Sequence, residues 1–459
     1  MLFFGRQPEI DWLMARYERC RSGEGQLVIV RGRRQVGKST LIERFASRSE
    51  ARVVYFQAAQ GASEVAQLVE LHRIAFGDGS GAEHRSIEAA VRELATADEE
   101  PLIVVLDEFP WLIASSPSVE GAVQRLWDRT LRRRKVMLVL VGSDLRMMKA
   151  LSEYDRPLYG RGEILEVSPL SPSEVASATE TSADEALSTY IVTGGFPQIT
   201  LDRREHGSLK DFLFESYRQP TSRLIVTGER VIAAEFPEPG TTRAILRAIG
   251  AGLREHSAIG NLTGLSSSVM QRALESLVAK EVVRRSEPFS TSHRGRTTRY
   301  YVSDPYLRFW LRWVAPALPE IERGRGDLAA AAMWAQFAAY RGIAIEPVVR
   351  EALLRLDPGQ RPADCREIGG FWTRHGRIEV DLVGGPDGPV ASSISLIGSI
   401  KWRQAKPFDH RDLAALAAQI PAVPGASVNT PLVAVSRTGH ESLGPTVWRY
   451  GPDELVAAW

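Results

Sequence analysis

Gln26-Leu27-Val28-Ile29-Val30-Arg31-Gly32-Arg33-Arg34-Gln35-Val36-Gly37-Lys38-Ser39-Thr40 decides how the rest of the chain is read. An apolar, β-branched run breaks into Gly-x-x-x-x-Gly-Lys-Ser and then into a helical pattern from Leu41 to Ala46. A strand, a glycine-bounded loop and a helix start are the three parts of a phosphate cradle. Backbone N–H groups turn inward there, and the helix N-terminus adds partial positive charge. Gly32 and Gly37 bound the loop and let it turn, Arg33, Arg34, Gln35 and Val36 span it, and Thr40 follows it. In such a cradle Lys38 reaches the β- and γ-phosphates and the Ser39 hydroxyl ligates Mg²⁺. The stretch predicts a nucleoside triphosphate with Mg²⁺.

Further along, Val53 to Phe56 reads as a second strand, and Leu102 to Leu106 as a third that ends in Asp107-Glu108. A continuous apolar run suits a parallel strand buried on both faces. Acids at its C-terminal end fall where ligands bind in such sheets. Asp107 is placed to hold the Mg²⁺ shell and Glu108 to orient or deprotonate the attacking water. The plainer alternative is a solvated pair of acids. Val136 to Gly142 is another buried run, closing at Ser143. Ser143 either hydrogen-bonds the attacking water or γ-phosphate, or caps the helix that begins at Leu145. Ile164 to Val167 gives the next strand, so strands alternate with helices in an α/β three-layer core. Upstream, Gly5-Arg6 leads into an amphipathic helix that closes over an adenine ring or packs beside the sheet. Arg132 to Lys135 reads as a solvated helix end.

The chain has 459 residues, enough for two to four domains, with 44% apolar and 25% charged residues and a net charge of +1. That balance argues against a surface coated in nucleic acid and leaves room for a local basic face. Cys20 and Cys365 are far apart and carry no CxxC or Cys/His cluster, so neither a disulfide scaffold nor a zinc site is indicated. No export signal stands at Met1 to Arg6, and no apolar run reaches the ~18 residues of a membrane span. The expectation is a cytoplasmic protein with no membrane contact.

After short helices from Ser173 to Ile199, the pattern changes at Thr241. Ala244 to Ile249, Ser257 to Leu262 and Ser266 to Val278 read as three helices; Val282-Val283 and Arg299 to Val302 read as two strands. This is the order of a winged helix-turn-helix. Ser267, Ser268, Gln271 and Arg272 are the positions that would read a major groove; His293, Arg294, Arg296 and Arg299 would hold phosphates. The alternative is a module that packs on the ATPase and transmits its state. Asp304 to Val314 is an aromatic-rich helix suited to core packing. One helix from about Trp334 to Leu356 carries Glu346, and strands follow at Arg377 to Val383 and Ser395 to Trp402.

Taken together, Gly5-Arg6…Glu9, the Gly32–Ser39 loop, Asp107-Glu108, Gly142-Ser143, Pro157 to Arg161 and Thr193-Gly194-Gly195-Phe196-Pro197 resemble the archaeal/bacterial ATPase family. That is an AAA+-related group close to the STAND signalling ATPases. The resemblance implies that Gly5 and Arg6 help bind adenine, that Ser143 senses the γ-phosphate, and that Pro197 touches nucleotide from a lid. It makes Arg161 either a trans-acting arginine finger or a structural arginine at a subunit surface. Asp304…Phe309-Trp310 is similar to that family's junction after the winged helix.

The C-terminal third resembles the domain of unknown function of the same family, with a PD-(D/E)XK nuclease core. Glu346, Asp381 and Lys401 match that core by position, as two acids for Mg²⁺ and a lysine for the attacking water. Ser399 departs from it, standing where an active member has an acid. Glu379 lies on the Asp381 face by strand alternation and would partly replace the missing carboxylate.

The expected architecture is α/β: a P-loop three-layer AAA+ ATPase core (1–170), a helical lid (171–235), a winged helix-turn-helix (236–315) and a C-terminal restriction-endonuclease-like α/β domain (325–459). The expected activity is Mg²⁺-dependent ATP hydrolysis that switches the chain between ATP and ADP states. Its expected partners are double-stranded DNA at the winged helix, a protein partner or further copies of the chain. The competing output is an ATP-gated DNA nuclease in defence or genome maintenance.

Overall fold

The computed structural model describes residues 3–77, 86–97, 99–236, 240–292, 297–374 and 376–459. The chain divides into two units, Met1–Pro169 and Leu170–Trp459.

In the first unit the apolar runs become five strands: β1 (Gln26–Arg31), β2 (Arg52–Gln57), β3 (Leu102–Asp107), β4 (Val136–Gly142) and β5 (Glu163–Glu166). All pair in parallel, in the order β2-β3-β4-β1-β5. Alternation along the strands divides their side chains between two cores. Val28, Val30, Ile103, Val105, Met137 and Val139 pack with Leu13, Tyr17, Leu41 and Phe45 of the helices Gln7–Arg21 and Lys38–Ser49. Their neighbours Leu27, Ile29, Leu102, Val104, Leu138 and Leu140 pack with Leu71, Val91, Leu94, Leu112 and Leu126 on the other face. Apolar residues on both faces of β3 and β4 are what bring helices to both sides, and the result is the expected three-layer α/β core. The chain leaves β1 toward one edge and leaves β4 toward the other. The carboxyl ends of β1, β3 and β4 therefore border the crevice where such sheets take ligands.

The second unit starts with helices Pro172–Thr179, Ala183–Thr193, Pro197–Arg204, Leu209–Arg218 and Arg223–Glu235. Three more helices, Thr241–Gly250, His256–Thr263 and Ser267–Ala279, lead into an antiparallel hairpin of β6 (Val283–Ser286) and β7 (Arg299–Val302). The last part is a mixed sheet of β8 (Glu367–Trp372), β9 (Glu379–Gly385), β10 (Leu396–Lys401), β11 (Leu432–Ser436) and β12 (Val447–Tyr450). Its order is β12-β11-β10-β9-β8, antiparallel from β8 to β10 and parallel from β10 to β12.

The largest hydrophobic core runs from Leu187 to Leu455 through all three of these segments, and a smaller one around Phe289 and Phe371 lies on the C-terminal sheet. The aromatic stretch 305–314 belongs to the larger core. Tyr306 donates to the Leu224 carbonyl at 3.0 Å and the Trp310 indole to that of Ile225 at 2.8 Å. Trp310 lies directly on Gly228, where a Cβ would come within 2.2 Å of the ring.

One expected element is corrected. The helix expected over Trp334 to Leu356 is two helices, Gly326–Ala344 and Glu346–Arg355, separated at Ile345. Pro347 has no N–H to give the Ile343 carbonyl, which breaks the ladder there and suits the first turn of a new helix. Glu346 therefore stands at a helix start.

Candidate functional site

Lys38 and Ser39 open the helix Lys38–Ser49, whose preceding residue Gly37 is left-handed at φ 88° and makes no side-chain cap. The first N–H groups of that helix have no intrahelical partner. Gly32 has a different reason to be glycine: a Cβ there would stand 2.2 Å from the Val167 carbonyl oxygen. The turn itself is made at Gln35, φ 64°, and Gly37. Val36 is fully buried and anchors the loop from below, while Gln35 is exposed. Lys38 curls back across the loop, its Nζ donating to the carbonyls of Gly32 at 2.9 Å and Arg33 at 2.8 Å. Burial pushes its amine down from 10.5 to about 8, with Glu108 and Asp107 opposing. Arg34 lies over the Trp111 ring at 6.0 Å.

The acids at the end of β3 meet this loop. Ser39 Oγ donates to Asp107 Oδ2 at 2.9 Å, and Tyr55 Oη donates to the same oxygen at 2.6 Å. The Glu108 N–H donates to Asp107 Oδ1 at 2.8 Å. Glu108 is left-handed, φ 51°, which aims it away from the strand it follows. Ser143, at the end of β4, donates to Glu108 Oε1 at 2.9 Å. The N-cap of the helix after β4 is Asp144, which accepts from the Met147 N–H at 2.9 Å; Ser143 is engaged with Glu108 instead. Ser39, Tyr55, Asp107, Glu108 and Ser143 thus form one hydrogen-bonded set, beside Lys38 at the helix start. Tyr55 is the member that sequence reasoning missed, because a tyrosine among strand apolars reads as core.

Arg6 is buried, left-handed at φ 64°, and bonds Glu9 at 2.9 Å, the Val36 carbonyl at 3.1 Å and the Ser168 carbonyl. It ties the phosphate loop to the segment that follows β5, beside the exposed Gly5. Arg161 forks onto Asp128, Nε at 3.0 Å and Nη2 at 3.1 Å, and its Nη1 meets the carbonyls of Pro157 and Tyr159 at 3.0 and 3.2 Å. Pro197 opens a helix in the second unit behind Phe196, which packs on Tyr306 with ring centroids 5.3 Å apart.

In the second unit, Glu346 accepts from Arg350 at 2.9 Å, and Arg350 also donates to the Asp381 carbonyl at 2.8 Å. Burial raises the Glu346 pKa, with Arg350 opposing. Glu379 accepts from Arg299 at 2.8 Å, and Arg299 lies 4.6 Å over the Trp372 ring. Asp381 Oδ2 accepts from Ser399 Oγ at 3.0 Å and the Ile400 N–H at 2.7 Å. Lys401 ends β10 opposite Ser436 of β11. Among the described residues, no three His, Cys, Asp or Glu side chains come together as a metal site.

The expectation that Arg299 holds phosphate is corrected: it is buried and paired with Glu379. His293, Arg294 and Arg296 lie outside the described residues. Phe289, Ser290 and Thr297, on the described stretches between β6 and β7, are bonded to the C-terminal part. Phe289 N–H donates to the Gly370 carbonyl at 2.9 Å, Ala391 N–H to that of Ser290 at 2.9 Å, and the Trp372 indole to that of Thr297 at 2.9 Å. Phe289 fills space left by three glycines; a Cβ at Gly388 would stand 2.4 Å from its ring. Ser267, Ser268, Gln271 and Arg272 remain exposed.

Residues 2–139 match the family described as AAA ATPase domain, and residues 310–413 match the family described as archaeal and bacterial proteins of unknown function. An uncharacterized protein of Methanocaldococcus jannaschii is 28% identical over 428 residues, which is 90% of this chain and 91% of that one. Among solved structures, the ORC2 protein of Aeropyrum pernix in its ADPNP–ADP complexes is 15% identical, with a TM-score of 0.43 over 69% of this chain and 94% of that one. A STAND protein with a tetratricopeptide repeat sensor from Pyrococcus horikoshii is 16% identical, with a TM-score of 0.30 over 76% of this chain and 50% of that one. No helix among the described residues is long and apolar enough to cross a membrane.

Proposed function

We propose that this chain, an AAA ATPase-domain protein of the archaeal and bacterial type, is a Mg²⁺-dependent, ATP-hydrolysing switch whose C-terminal unit responds to the nucleotide and cuts nothing. The observation that carries the ATPase reading is the bonded set Ser39–Asp107–Glu108–Ser143 beside a helix start led by Lys38. These residues fit Mg²⁺-ATP. The loop from Gly32 to Thr40 would hold the phosphates, and Ser39 with Asp107 the cation. Bound Mg²⁺-ATP supplies the transferable phosphoryl group and the charge that shields it. Lys38, protonated below about pH 8, adds positive charge at the loop. Ser143 holds Glu108 Oε1, which leaves Oε2 to take a proton from the attacking water. Replacing Lys38 by alanine should abolish retention of labelled ATP. Full retention and phosphate release by that variant would refute the reading.

The pairing of Glu346 and Glu379 with arginines favours the non-cleaving output. A carboxylate that neutralises a guanidinium has less charge to offer a metal. Ser399→Glu should not restore Mg²⁺- or Mn²⁺-dependent nicking while Arg299 and Arg350 remain; nicking lost again on Lys401→Ala would establish the nuclease alternative. DNA contact through a winged helix would rest on the exposed face of Ser267–Ala279, since Arg299 is paired with Glu379. A salt-dependent anisotropy titration tests it. The Asp128 fork favours a structural Arg161 over a finger acting in a second copy.

A further inference from the structure

Asp107 accepts three hydrogen bonds, and one comes from outside every recognised motif of the chain. The Glu108 N–H takes Oδ1, while Ser39 and Tyr55 share Oδ2. Tyr55 lies on β2, an edge strand, whose register sets Gln57 opposite Asp107. Its side chain reaches two residues along the neighbouring strand to the carboxylate, and its ring packs on the core that holds Leu41 and Phe45. Ser39 donates its only proton to Asp107, which leaves the lone pairs of its oxygen for a cation. A phenol donates as Ser39 does, without bringing a charge that would cancel the acid. A second hydroxyl on one oxygen also fixes how the carboxylate is turned, and with it the direction of the Ser39 oxygen.

We propose that Tyr55 is a positioning residue for Mg²⁺ in this ATPase: its hydroxyl holds Asp107, and through Asp107 the Ser39 oxygen, in the orientation that receives the cation. This rests on the reading of the loop as a Mg²⁺-ATP cradle. Partners of metal-binding groups at this remove are worth about 10–100-fold in metal affinity. The phosphates meet the loop and Lys38, which Tyr55 does not touch, so binding of nucleotide without metal does not depend on it.

The test uses the full chain and a fluorescent ATP analogue, bound at equilibrium in EDTA and across a Mg²⁺ titration. Tyr55→Phe keeps the ring and removes the hydroxyl. It should bind the analogue in EDTA as the parent does and need about tenfold more Mg²⁺ for the metal-dependent increase. Tyr55→Leu should shift the Mg²⁺ midpoint equally and lower the melting temperature as well, which separates packing from the hydroxyl. An unchanged midpoint in Tyr55→Phe overturns the proposal, as does an equal loss in EDTA and in Mg²⁺. If the parent itself binds no analogue, the ATPase reading fails and this inference falls with it.

Discussion

Two groups of carboxylates stand at strand and helix ends in this molecule, and the charge of their partners sets them apart. Asp107 and Glu108 are held by Ser39, Tyr55, Ser143 and a backbone N–H, all neutral donors. Glu346 and Glu379 are held by Arg350 and Arg299. A neutral donor turns an acid and leaves its charge in place; a guanidinium turns it and cancels the charge. Asp381 lies between the two cases, with a serine hydroxyl and a backbone N–H for partners, and no three-acid metal cluster forms around it among the described residues. The sequence position of an acid says where it can act. The partner says whether its charge is available.

The widest separation between the two groups should appear in turnover. Glu108→Gln keeps the Ser143 contact and removes the carboxylate proposed to accept the proton, so ATP hydrolysis should fall about 10²–10⁴-fold while the analogue is still retained. Glu379→Gln, in the arginine-paired group, should leave that rate where it is. Phosphate release measured side by side checks both, and a Glu108→Gln protein as fast as the parent would erase the distinction.

Glu379 of the second group stands in a joint between the β6–β7 hairpin and the C-terminal sheet, and substitutions in that joint should be read as stability. Phe289→Ala empties the space under Gly369, Gly385 and Gly388 and should cost about 3–5 kcal/mol in denaturant unfolding. A midpoint that stays put would mean that Phe289 does not hold its segment to the sheet.

The proposed cradle was legible because its residues are contiguous: Gly32 to Ser39 turn the chain and start a helix within one short run. Asp107-Glu108 and Ser143 were legible because they end apolar strands, and parallel strands bring such ends together. Tyr55 was not, since its partner stands 52 positions along the chain. The Arg299–Glu379 pair, 80 positions apart, was hidden in the same way, and it turned an expected phosphate contact into an internal one. The helix break at Pro347 was in plain view. The apolar pattern runs through it, and periodicity outweighed the missing N–H.

Acidity offers a smaller contrast. Below about pH 8 the Lys38 amine is charged whether the chain is folded or not; from there to 10.5 only the unfolded chain keeps the proton. The nucleotide-free fold should therefore gain stability as pH rises through that window. Nucleotide prefers the charged amine, so affinity should weaken over the same range, approaching about tenfold per pH unit. Lys38→Arg stays protonated and should give a flat profile wherever it binds. A parent profile as flat as that of the arginine variant would show that burial does not tune the amine.

The smallest effect belongs to Glu379→Gln. Arg299 is 9% exposed at its side chain and Glu379 49%, so solvent screens one half of the pair. An amide oxygen still accepts from the guanidinium, and the Trp372 face still lies against it. The loss should be about 1 kcal/mol or less in denaturant unfolding. Arg299→Ala should cost more, because it removes the Trp372 contact along with the charge and leaves a gap beside β7. If the two variants lose equally, the pair is held by charge alone; a larger loss for the arginine means that packing on Trp372 carries the joint, and the acid is secondary.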